Sequence, residues 1–100
     1  MSKKATKRSR SAFHPGEFLL DRFLAPGNIS QAAFARKMGW RKERLNKLIK
    51  ARCGVTAEAA LDLADALGTS PKLWMGLQAR FELANAERRR NTAALYIGRR

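Results

Sequence analysis

Apolar residues recur along this chain at helical spacing, in five runs separated by polar, Gly- or Pro-marked breaks. His14-Pro15-Gly16 opens the first run, with Pro15 suited to the first helical position, where its missing N–H costs nothing. Phe18, Leu19, Phe23 and Leu24 follow, and Pro26-Gly27-Asn28 ends it. Ser30 is a good N-cap for a second helix, Gln31 to Met38, whose inward residues are Phe34, Ala35 and Met38. Gly39 stops it as a left-handed turn residue. A third helix is predicted from about Arg41 to Lys50, with Leu45, Leu48 and Ile49 facing in and a loop over 51–55. Thr56 caps a fourth, whose predicted apolar stripe is Ala57, Ala60, Leu61, Ala64 and Leu67, with Gly68 as its stop. Ser70-Pro71 opens a fifth, carrying Leu73, Trp74, Leu77, Phe81 and Ala84. Residues 93–97 fit a continuation of that helix, a short strand or a loose end equally well. The expected fold class is all-α, with one domain over about residues 13–87.

Charge changes this picture most. The net charge is +13, an excess that points to nucleic acid or another anionic surface. It is unevenly placed. Residues 1–12 hold five bases and no acid, and residues 88–100 hold five more and no acid, so both ends read as basic tails. Such tails are either solvated ends or arms that add sequence-independent affinity for a phosphate backbone. Residues 30–52 hold eight bases against one acid, Glu43, for a net of +7. The rest of 13–87 holds three bases and seven acids, a net of −4.

The basic internal segment coincides with Gln31–Leu48, where each position has a mechanical reason. Ala35 is small where two helices cross closely, and Gly39 makes a sharp turn between helices set at a steep angle. Trp40 seals the turn, while Phe34, Met38, Leu45 and Leu48 fill a shared core. Arg41, Lys42, Glu43, Arg44 and Lys47 remain as polar positions on the third helix. In a helix-turn-helix pair the second helix puts its N-terminal residues against base edges in the major groove. Arg and Lys read guanine there, and Glu43 can accept from the cytosine amino group. Phosphate contacts are expected from Ser30 and Gln31, at a helix N-terminus, and from Lys50 and Arg52 beyond the third helix. The competing reading is a plain αα-hairpin with a solvated basic face, against which the small-residue, glycine and apolar positions weigh together with the local +7. Arg41 stands at the usual N-cap of the third helix, where Ser or Thr would stabilise it by about 1 kcal/mol.

This motif resembles the helix-turn-helix of the XRE family of lambda- and Cro-type repressors. The likeness extends to His14-Pro15-Gly16-Glu17, Arg44-Leu45-Asn46, Thr56-Ala57-Glu58-Ala59-Ala60-Leu61 and Gly68-Thr69-Ser70-Pro71-Lys72-Leu73-Trp74-Met75-Gly76-Leu77-Gln78, which look like the HigA-type antitoxins. The resemblance covers about residues 13–87. It implies a five-helix, lambda-repressor-like DNA-binding domain, a homodimer, binding to its own double-stranded operator, and neutralisation of a small basic RelE/HigB-like ribonuclease toxin. Two features depart from the family pattern: Arg41 replaces the usual Ser or Thr, and the two arginine-bearing tails lie outside it. A stand-alone XRE-family regulator on the same fold is the alternative, because the two differ by partner.

Partner surfaces are less sharply marked. The stripe Trp74, Leu77 and Phe81 is the candidate dimer interface, with core packing as its other reading. Glu58, Asp62 and Asp65 fall at i, i+4 and i+7 on the fourth helix, and Glu17 and Asp21 at i and i+4 on the first. Each patch is either a solvated face or the side that meets a toxin. His14 before Pro15 fits a helix cap better than a metal ligand or base. The single cysteine, Cys53, reads as an inert thiol, and one His with one Cys makes no zinc cluster. No catalytic dyad and no phosphate-cradling glycine loop is visible, so neither an enzyme nor a cofactor or small-molecule ligand is expected. No apolar run approaches 18 residues and no secretory signal opens the chain, which predicts a cytoplasmic protein without a membrane span.

Overall fold

A computed structural model describes residues 13–97, with side-chain positions through residue 92. The basic stretch 1–12, Arg99 and Arg100 lie outside the described residues. Within them the chain is helical throughout, in five helices, as the apolar spacing predicts.

α1 (Pro15–Leu19) starts on His14, whose Nδ1 accepts from the Gly16 N–H at 2.9 Å. It runs without a break into a π-helical turn, Leu20–Leu24, closed by the Ala25 N–H on the Leu20 carbonyl at 2.9 Å. The wider turn has a packing reason. Leu19 and Leu24 are both buried although five residues apart, about 1.4 turns of an α-helix. An i→i+5 turn brings them back to one side.

α2 (Gln31–Met38) is capped by Ser30, whose hydroxyl accepts from the Ala33 N–H at 3.1 Å. It ends at Gly39 with φ 75°, a left-handed conformation that glycine adopts without strain. α3 (Lys42–Ile49) starts from Arg41, which supplies no side-chain cap. α4 (Ala57–Leu67) is capped by Thr56 and stopped by Gly68 at φ 72°. Its buried residues are Ala59, Ala60, Leu63 and Ala64. The predicted stripe is therefore rotated: Ala57 is exposed and Leu61 is 53% exposed.

α5 (Pro71–Ile97) is 27 residues long, about 40 Å of helix. Residues 93–97 continue it, and Arg88, Arg89 and Arg90 lie on this helix, so the predicted tail from residue 88 is helical up to Ile97. Trp74 is 0% exposed, and its indole N–H donates to the Thr69 hydroxyl at 2.8 Å. Leu77 is buried beside it, and Phe81 sets its half-buried ring against His14 at 4.8 Å between centroids. Of the candidate dimer stripe, Trp74 and Leu77 therefore take the core-packing reading, while Phe81 stays half-buried, with its ring edge-on to His14.

The core gathers Leu19, Leu24, Phe34, Leu45, Leu48, Leu63 and Trp74, so every helix contributes to it. Gly16 brings α1 directly onto the C-terminal end of α3, where a Cβ would collide with the Leu48 carbonyl. Behind α3, Ala51 has φ 59°. Gln78 on α5 then accepts from the Val55 N–H at 2.8 Å, which ties the 50–55 loop to the body. α3 is thus backed directly by α1, and the loop that follows it is tied to α5, while its polar side is left outward.

Candidate nucleic-acid interface

The outward side of α3 follows from its sequence. Leu45 and Leu48 are buried, so Lys42, Glu43, Lys47 and Lys50 are carried outward by the helical repeat, and all four are exposed. The packing of α2 against α3 then leaves an open groove of about 570 Å³ along that side, lined by Gln31, Ala32, Lys42, Glu43, Asn46, Lys47 and Arg52. α2 contributes its N-terminal residues to the groove wall, with backbone N–H groups that favour anions. The groove therefore combines three cations, one carboxylate and two carboxamides on one rigid surface.

The carboxamides hold each other. Asn46 Nδ2 donates to Gln31 Oε1 at 3.2 Å, which joins the start of α2 to the middle of α3. That bond leaves the Gln31 amide nitrogen and the Asn46 carbonyl oxygen for a ligand in the groove. Asn46 is the residue that sequence reasoning missed as part of the site. Its signal was available: it lies four residues after Lys42 and three after Glu43, on the same side of the helix.

The other expected site residues are distributed as follows. Lys42, Glu43 and Lys47 share the groove with Gln31 and Arg52. Ser30 is exposed at the start of α2, with its hydroxyl oxygen engaged by Ala33. Lys50 is exposed at the end of α3, and Arg41 is exposed at its start; neither lines the groove. Arg44 is also outside that lining, because its guanidinium lies over the Trp40 ring with Cζ 3.7 Å from the centroid. Trp40 in turn donates its indole N–H to Asp62 Oδ2 on α4 at 2.8 Å.

Asp62 is therefore not a freely solvated acid of the α4 face, as its spacing with Glu58 and Asp65 suggests; it is half-buried and bonded. Glu58 and Asp65 are exposed. Glu17, on α1, is half-buried and Asp21, in the π turn, is exposed. His14 is a buried cap, and its pKa is lowered from 6.5 chiefly by that burial, against raising contributions from a backbone bond at Cys53 and from Glu17. Cys53 is an exposed free thiol. Among the described residues no group of His, Cys, Asp and Glu is arranged to hold a metal, and no helix is long and apolar enough to cross a membrane.

Known proteins with this arrangement are close at hand. A helix-turn-helix family matches residues 21–74, from the π turn through Trp74. The chain is 31% identical over 97 residues to virulence-associated protein I of Dichelobacter nodosus, covering 97% of this chain and 90% of that protein. It is 32% identical over 91 residues to antitoxin HigA-1 of Vibrio cholerae, covering 91% and 86%. Its fold superposes on the Pseudomonas aeruginosa antitoxin HigA, solved with the higBA promoter, with a TM-score of 0.77 at 32% identity over 86% of this chain and 94% of the other. The chain belongs to the XRE-type helix-turn-helix family, in the branch that holds the HigA antitoxins.

Proposed function

We propose that this protein is an antitoxin that binds its own operator as double-stranded DNA, represses its own operon and neutralises a small basic RelE/HigB-like ribonuclease toxin. The observation that carries the DNA half is the groove: Lys42, Glu43, Asn46 and Lys47 on the outer side of α3 face the same space as Gln31 and Arg52. The separation between cationic groups that hold phosphate and a mixed set that reads base edges is what a specific DNA surface requires. Lys42, Glu43 and Lys47 enter the major groove as base readers, with Arg41 and Arg44 at its edges. Ser30, Gln31, Lys50 and Arg52 meet the backbone. The promoter complex of the Pseudomonas aeruginosa relative supports this reading. The protein acts in the cytoplasm by binding, not by catalysis.

A homodimer places two such helices on half-sites about 34 Å apart on one DNA face. With Trp74 and Leu77 buried in the protomer, the large apolar residues exposed on α5 among the described side chains are Met75 and Leu83, and Leu83 is 60% exposed. These replace the original stripe as interface candidates. The DNA reading is tested by binding to a duplex taken from upstream of the gene and to a scrambled duplex. Lys47→Ala is expected to weaken the operator complex by about 1–3 kcal/mol and the scrambled complex far less. Equal losses on both would mean that Lys47 touches only phosphate, and no preference in the wild type would sink the operator claim.

A further inference from the structure

We propose that Trp40, in the turn of the two-helix motif, and Asp62, outside it, are positioning residues for sequence reading that hold Arg44 in place. This rests on the reading of α3 as the DNA-recognition helix. Three contacts form one chain. Asp62 on α4 accepts the indole N–H of Trp40 at 2.8 Å. The Trp40 ring is wedged into the turn before α3 and is 8% exposed. The Arg44 guanidinium rests on that ring, with Cζ 3.7 Å from its centroid.

Each link has a physical task. An indole offers the most favourable aromatic face for a cation, and a guanidinium stacks on it while its N–H groups stay directed outward. A long side chain held this way before binding loses less freedom when it meets DNA. The ring must itself be fixed, and its one polar atom is what Asp62 grips; an unbonded N–H in so covered a place would be unfavourable. The turn needs such a fastening, since Arg41 provides no side-chain cap for α3. Trp40 supplies it twice, through its indole and through its backbone N–H on the Ala35 carbonyl at 2.8 Å. The start of the recognition helix is thereby referenced to α4, an element that lies outside the DNA groove.

The test compares the full-length chain and its variants for affinity toward a duplex from upstream of its own gene and toward a scrambled duplex, with folding checked by circular dichroism. Asp62→Ala and Trp40→Phe, which keeps a ring and loses the donor, are each expected to lower the preference for the upstream duplex about fivefold or more. Binding to the scrambled duplex should change little. Asp62→Asn keeps an acceptor in the same place and should restore wild-type preference, which a role of the carboxylate charge alone would not allow. Arg44→Ala should add no further loss on the Asp62→Ala background, because both remove the same contribution. A folded Asp62→Ala protein within about twofold of wild-type preference would overturn the proposal, and so would a full additional loss from Arg44→Ala. If Asp62→Ala does not fold, Trp40→Phe carries the same decision. Absence of any preference in the wild type would sink the recognition reading as well, whereas preference that survives the variants sinks the positioning role alone.

Discussion

His14 is folded in its neutral form. Its Nδ1 must keep a lone pair to accept from Gly16, and burial lowers its pKa below the ordinary 6.5. The unfolded chain binds a proton below that value while the folded chain resists it, so stability rises with pH across this range. The contribution is complete above 6.5 and is lost as the pH falls through the lowered native value. Thermal unfolding followed from about pH 7.5 to about pH 5 should therefore show a falling midpoint. His14→Asn, which can still cap α1, should flatten that dependence; an equally steep fall in the variant would move the cause to another group. Ala51 is a non-glycine residue in left-handed backbone. At φ 59° it sits where an L-residue costs about 1–2 kcal/mol relative to right-handed backbone, and the protein uses glycine for the same geometry at Gly39 and Gly68. Ala51→Gly is expected to raise stability by about 0.5–1 kcal/mol in denaturant unfolding. No gain would mean that the loop is held in this shape by contacts that also favour the methyl group.

At the scale of elements, α5 divides into a buried half and a projecting half, and two substitutions separate them. Leu77→Glu places a charge in the buried core that holds Trp74 and Leu63 and should unfold the domain. Leu83→Glu lies on the exposed side and should leave helicity and unfolding midpoint nearly unchanged, within about 0.5 kcal/mol. Circular dichroism of both variants checks this, and loss of fold in Leu83→Glu would show that the outer face of α5 is needed by the protomer. Much of this architecture was legible in the chain. Ser30 and Thr56 announce their caps, Gly39 and Gly68 their stops, and the apolar spacing gives the number of helices. The missed features share a cause. Phe18, Leu19, Phe23 and Leu24 repeat at five residues, which passes for ordinary helical spacing unless the sum of the turns is followed. α4 is apolar on nearly every side, from Ala57 and Ala59 to Ala66 and Leu67, so its sequence alone does not choose between Leu61 and Leu63 as the buried leucine. The groove residues lie within one short stretch, residues 31–52, four of them on α3, which is why the sequence brings Gln31, Lys42, Glu43, Lys47 and Arg52 together. The Trp40–Asp62 bond joins positions 22 residues apart and depends on how α4 docks, which local pattern does not encode.

The whole molecule separates its charges. Residues 30–52 carry a net +7, whereas the rest of the span 13–87 is net −4, so one chain presents a cationic surface to DNA and acidic patches elsewhere. A basic toxin would be steered to the acidic side, since complementary charge chiefly speeds encounter and selects the partner. On α4, Glu58 and Asp65 are exposed, while Asp62 is engaged with Trp40. The chain is co-expressed with the product of the adjacent gene, and growth is the readout. Wild type should rescue growth, and Lys47→Ala should rescue equally while losing operator preference. Reversal of Glu58 and Asp65 to lysine should do the opposite, weakening rescue and sparing the operator complex. Asp62→Lys should damage both, because it removes an acid from the partner face and the acceptor that holds the turn before α3. If the two-site reversal leaves rescue intact, the α4 face is not the toxin surface, and Glu17 and Asp21 become the next pair to reverse. If the adjacent product is not toxic, or forms no complex at micromolar concentration, the antitoxin reading gives way to a stand-alone regulator whose acidic faces are solvated.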